Sequence, residues 1–249
     1  MDNREILAHT NHRPYPLPKG SWAMKQGWNH LLFAHWPAVE RELQPYVPGG
    51  LELDKWQGTP WVSMSPFLVK PLRLRGIPPL PLASRFLELN VRTYVIRNGK
   101  PGVLFLGLEA SSRPVVLAAR RIGHLPYHYA DMKARFSESG VTFTSSRRKG
   151  SQQAVFSAEY QAAEGPLFHA RIGTLLYWLT ERYCLYTSDL KGRLFEMDIH
   201  HLPWPLQEAS IHLKANTLAE AYGISLDSAP SAVTYTDRLD ALIWPMKEV

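Results

Sequence analysis

From Leu87 to Ile96 the chain alternates with a period of two residues. Leu87, Leu89, Val91, Thr93 and Val95 fall on one side, and Glu88, Asn90, Arg92, Tyr94 and Ile96 on the other. That period predicts a strand with two unlike faces. The first face suits a core. The second carries a carboxylate, an amide, a guanidinium and a phenol in a row. Such a row is either the solvated side of an antiparallel sheet or the wall of a polar cavity inside a curved one. In the second reading Glu88 and Arg92 hold each other's charge. Asn98-Gly99 predicts a hairpin, with Val103 to Leu108 as the return strand. A short helix over Val115 to Ile122 follows, capped by Ser111 or Ser112, with Pro114 in its first turn and Gly123 at its end.

The rest of the chain also reads as strands with short helices between them. Gln26 to His35 predicts a strand, and Ala38 to Val47 a helix stopped by Pro48-Gly49-Gly50. Trp61 to Val69 predicts a strand with an edge or a bulge at Pro66. Lys70 to Arg85 is a Pro-rich loop, a flap over a pocket or a dimer contact. Tyr127 to Phe136 and Val141 to Arg147 form a hairpin, followed by a strand over Ala154 to Gln161. Arg171 to Leu179 has helical spacing. Further strands are expected at Arg193 to His201, Glu208 to Leu213, Val233 to Thr236 and Leu239 to Trp244, with a helix at Asn216 to Tyr222. Pro14, Pro16 and Pro18 mark residues 1–20 as a flexible N-terminal arm. Residues 21–249 form a single domain.

Composition narrows the classes. With 249 residues, 45% of them hydrophobic and 20% charged, the chain can bury a sizeable core. The one cysteine, Cys184, allows no internal disulfide and fits a cytoplasmic protein. It sits in an apolar run and reads as core. The net charge of +6 is spread out, apart from Arg147-Arg148-Lys149 at a hairpin end, so no nucleic-acid partner is expected. No signal peptide and no apolar run of about 18 residues points to a membrane. No HExxH, CxxC pair, GxSxG, GxGxxG or Walker sequence occurs. His200 and His201 are adjacent in a strand and point apart; His30, His35 and His128 are single ligands that could converge. No metal and no cofactor are expected.

Several phrases carry a resemblance: His35-Trp36-Pro37 through Pro48-Gly49-Gly50-Leu51-Glu52-Leu53, Thr180-Glu181-Arg182-Tyr183, His200 to Gln207, and Glu88 with the helix running into His124-Leu125-Pro126-Tyr127-His128. Together they resemble the YqjF-like uncharacterised bacterial domain family, distantly similar to acetoacetate decarboxylase. The resemblance spans roughly Met24 to Val249. It implies a mainly β fold: a strongly curved antiparallel sheet or closed barrel around a central cavity, with a few short helices outside. It places the strand Glu of the decarboxylases on Glu88, the helix Arg on Arg120 and the Pro on Pro126. Their lysine pair falls on Tyr127 and His128. A phenol and an imidazole cannot form an imine, so Schiff-base chemistry is not expected. The nearest amine in sequence is Lys133.

The expected site has Glu88, Tyr127 and His128 as acid/base groups and Arg92, Asn90 and Arg120 as ligand-binding groups. Two functions stand open. One is an acid/base enzyme acting on an oxo or hydroxy acid without a Schiff base. The other is a non-catalytic binding or sensing protein for a small apolar or weakly acidic compound. The expected partner is a small-molecule ligand, and a homo-oligomer is left open.

Overall fold

The computed structural model describes residues 2–78, 83–149, 152–226 and 229–249. The elements in order are α1 (Asn3–Ala8), β1 (Met24–Pro37), α2 (Glu40–Leu43), β2 (Glu52–Leu53), β3 (Trp61–Leu74), β4 (Phe86–Arg97), β5 (Lys100–Ala110), α3 (Arg113–Ile122), β6 (Tyr127–Tyr129), β7 (Asp131–Ser137), β8 (Gly140–Lys149), β9 (Gln152–Ala162), α4 (Leu175–Thr180), β10 (Cys184–Ser188), β11 (Leu194–His200), β12 (Gln207–Asn216), β13 (Ala232–Ile243) and β14 (Lys247–Glu248). All strands belong to one 14-stranded sheet. The mainly β, strongly curved fold expected from the sequence is what forms, with two departures. The sheet is mixed, because β5 pairs in parallel with β10 and with β6. It is also not a clean barrel. A short pairing, Ile199↔Ile243 and His200↔Leu242, joins β11 to β13. It closes β11, β10, β5, β4, β3, β1 and β13 into a ring. β12, β9, β8 and β7 leave the ring as a meander.

Burial explains the two layers. Leu32, Ala34, Val62, Met64, Leu89 and Val91 on the outer face of the ring pack against Phe143, Phe156, Ala158 and Tyr160 of the meander. The inner face packs on α4: Leu179 is fully buried among Trp61, Tyr94, Val103, Leu185, Ile199 and Ile243. β4 is therefore covered on both sides, and its polar row is not the solvated face that its alternation allowed.

Several local expectations change. The N-terminal segment is tied down: Ile6 is buried against Leu242 and Trp244, and Arg13 donates to the Ile199 carbonyl at 2.7 Å. The expected strands over 233–236 and 239–244 are one strand, β13. Asn216 ends β12 instead of capping a helix. Pro66 sits in β3, between β1 and β4 and not at an edge. It lies opposite the irregularity of β1 between Asn29 and Ala34, where an interrupted ladder tolerates a missing N–H. Lys70 to Leu74 continue β3, and the middle of the expected flap, 79–82, lies outside the described residues. Ser111 does not cap α3: its hydroxyl accepts from the Leu87 N–H at 2.9 Å and pins the start of β4. Arg147 does not decorate a hairpin end. It is buried, with Nε 2.7 Å from Glu109 Oε1.

Candidate functional site

The register of β3 with β4 is unbroken from Val62↔Thr93 to Val69↔Phe86. Glu88, Asn90 and Arg92 therefore share the inner face, beside Phe67, Ser65 and Ser63 respectively. β1 adds His35 opposite Ser63. β6 adds Tyr127 through its parallel pairing with Leu108, which itself faces Asn90. All of these side chains are buried.

At one end, Tyr127 Oη donates to Glu88 Oε2 at 2.8 Å. Burial lifts the Glu88 carboxyl to about 7, and the phenol's hydrogen bond offsets only part of that rise. The Tyr127 phenol is held well above its usual range by burial and by the neighbouring carboxyl. The pair is a carboxyl that changes charge near neutrality, joined to a phenol that stays protonated.

At the other end, Arg92 is 8% exposed. One of its terminal nitrogens donates to the Leu179 carbonyl at 3.3 Å, and its guanidinium lies 5.1 Å from the centre of the Phe33 ring. Its Nε has no hydrogen-bond partner, and among the described residues it makes no ion pair. The neighbouring guanidinium, Arg182, is neutralised by Asp54 at 2.6 Å. The expected Glu88–Arg92 ion pair does not form. Four residues along a strand separate the two by roughly 13 Å, too far for direct contact.

Beside Arg92 runs a hydrogen-bonded chain. His35 Nδ1 is 2.5 Å from the Ser63 hydroxyl, which is 2.5 Å from the Tyr94 hydroxyl. Burial and the charge of Arg92 hold the His35 imidazole well below its usual value, so it is neutral. His35 Nε2, Ser65 Oγ, Asn90 Oδ1 and Arg92 Nε are all buried without a hydrogen-bond partner. So is Thr234 Oγ1, on β13 opposite Phe33. Buried polar atoms are nearly always paired. Four on neighbouring strands of one face depart from that rule.

The structure brings Glu88, Asn90, Arg92 and Tyr127 to this face. It does not bring the other two expected residues. His128 pairs with Glu109, whose face is the opposite one, since adjacent strand residues point apart. Arg120 is exposed on α3, whose Val116 faces the core. Lys133 is exposed on β7. His30, His35 and His128 do not converge: among the described residues no such group could hold a metal. Two clefts open on the surface. One, of about 410 Å³, lies beside Tyr15, Lys100 and Lys247; the other, of about 450 Å³, beside Ser139, Glu159 and His212. The polar row lines neither.

Sequence reasoning missed Ser63, Ser65 and Thr234, and weighed His35 only as a metal ligand. Ser63 and Ser65 alternate like the residues of β4, which was a usable signal. Their place beside Asn90 and Arg92 depends on register, which no single strand reveals.

Comparison with known proteins agrees with this architecture. Residues 25–240 match the DUF2071 family, described as uncharacterized conserved protein. The chain is 44% identical over 232 residues to the uncharacterized protein YqjF of Bacillus subtilis, covering 93% of this chain and 95% of that one. Solved structures with a similar fold include acetoacetate decarboxylase from Legionella pneumophila, with a TM-score of 0.63 and 15% identity over 95% of this chain and 92% of that one. They also include an acetoacetate decarboxylase-like enzyme from Sphingomonas wittichii, at 0.59 and 13% over 92% and 94%. A third is the enduracididine biosynthesis enzyme MppR complexed with pyruvate, at 0.59 and 10% over 93% and 91%. At such identities the likeness is one of fold. The chain belongs to the DUF2071 family of uncharacterized conserved proteins, and it has an acetoacetate decarboxylase-like fold.

Proposed function

We propose that the inner face of β1, β3 and β4 binds a small carboxylic acid, without forming an imine. The observation that carries this reading is Arg92: a buried guanidinium with an unpaired Nε and no carboxylate partner among the described residues. A buried charge without a counter-charge is costly, and a ligand carboxylate would relieve that cost. Glu88, raised by burial and held on Tyr127, lies at the far end of the row, beyond the reach of a three-carbon acid anchored on Arg92. Tyr127 and His128 stand where the decarboxylase resemblance puts its lysines, so imine chemistry is not open at these positions. The pyruvate complex of MppR, a protein of similar fold, supports a short oxo or hydroxy acid as the ligand class.

Calorimetry with pyruvate should show binding that falls at least tenfold in Arg92→Met. Borohydride should trap no adduct on any lysine. Equal binding by Arg92→Met would overturn the reading.

A further inference from the structure

The unpaired atoms of the row differ in kind, and the difference selects among acids. Arg92 Nε–H only donates, Asn90 Oδ1 only accepts, and the Ser65 hydroxyl does both. Asn90 and Ser65 stand directly opposite each other on β4 and β3. Arg92 lies one step further along the same face, about 6.7 Å away along the strand. His35 sits beyond Ser63 in the Arg92 row.

A carboxylate satisfies Arg92 but offers only acceptors. A ketone next to it also offers only an acceptor and, with the Asn90 amide as it stands, would leave Oδ1 without a donor. A hydroxyl in that place donates to Asn90 and still accepts from Ser65. Burying a polar atom with no partner is penalised, so a site with an orphan acceptor discriminates against a ligand that cannot donate.

We infer that the row selects a short-chain hydroxy acid over the oxo acid of the same skeleton, with the carboxylate on Arg92 and the hydroxyl donating to Asn90 Oδ1. This rests on the reading of Arg92 as the carboxylate anchor. It adds a specificity element, Asn90 with Ser65, that acts on the ligand's second oxygen. The row is buried under packed side chains, so the ligand is small: the lactate or 3-hydroxybutyrate size class.

Calorimetry on the full chain with lactate, pyruvate and propionate tests it, with 3-hydroxybutyrate and butyrate as a longer pair. Lactate should bind at least tenfold tighter than pyruvate or propionate. Asn90→Leu, close in volume, should bring the three to parity while keeping carboxylate binding. Ser65→Ala should shrink the preference without removing it. Melting curves of each variant check its fold, and the wild-type ratio decides the matter even if Asn90→Leu does not fold. Equal wild-type affinities that all vanish in Arg92→Met would overturn the selection for hydroxyl and leave the carboxylate anchor standing. No binding of any probe, or binding indifferent to Arg92→Met, would overturn the anchor and the inference together.

Discussion

Below pH 4.5 the Glu88 carboxyl carries its proton in the folded and the unfolded chain alike. Between 4.5 and about 7 the unfolded chain releases that proton while the folded chain keeps it. A carboxyl raised by folding thus adds stability at low pH, and that contribution disappears as pH rises through its folded value. Gln cannot ionise yet can still accept from Tyr127. Glu88→Gln should melt like the wild type at pH 4 and higher than it at pH 8. The difference should approach roughly 3 kcal/mol, at about 1.4 kcal/mol for each unit of the rise. Thermal melts across pH 4 to 8.5 read this directly, and a constant gap would place Glu88 in contact with water. At this scale the sequence showed part of the site. Alternation within β4 put Glu88, Asn90 and Arg92 on one face. It said nothing of Leu179, whose carbonyl takes the Arg92 hydrogen bond from 87 residues away. The step from Tyr127 to His128 also looked like two candidates, although adjacent strand residues cannot share a face.

Hairpins and close approaches set the elements. Asn98 and Gly99 have φ of 49° and 76°, the left-handed pair that a tight hairpin needs, and this turn was legible from the dipeptide. Gly107 was not. Its backbone lies so near Tyr222 that an added Cβ would stand 1.8 Å from the phenol oxygen. That phenol accepts from Arg147, itself bonded to Glu109. Gly107→Ala must therefore push apart a buried polar cluster, and it should cost about 2–3 kcal/mol, measurable by denaturant titration. Gly99→Ala strains only an exposed turn and should cost about 1 kcal/mol. Element type was largely readable because period two and turn dipeptides are local signals. Joins were not. The exposed Asp237 and Arg238 fall between two expected strands but lie within β13, held by pairing with β1 through Asn29↔Arg238. The parallel pairing of β5 with β10 depends on how the chain passes through α4, which no local pattern encodes.

For the whole molecule, buried histidines decide the response to acid. Burial lowers His12, His35, His200 and His201, with His200 at about 4 and His201 at about 3. Each imidazole stays neutral in the fold and gains a proton once unfolded. Their contribution is present above pH 6.5 and is lost as pH falls below it. Four such groups outweigh the opposite trend of the two raised carboxyls, Glu88 and Glu181, so stability should climb from pH 4.5 to about 6.5. Acid unfolding should show a net proton uptake, smaller than four because Glu88 and Glu181 release theirs, read from the slope of stability against pH. A slope near zero in that range would mean that the histidines are hydrated in the fold.

Cys184 turns the N-terminal segment into a clock. The thiol is 1% exposed and pushed up to about 12, inert to reagents until something opens. Tyr15 packs against its cluster, and Arg13 fastens the same segment to the Ile199 carbonyl. β10 lies between β5 and β11 and cannot part from them without undoing the ring. In the intact chain, modification of the thiol should keep pace with global unfolding. Removing residues 2–20 should quicken it many-fold while the far-UV spectrum holds, so the labelling rate times the peeling of the strap apart from the unravelling of the body.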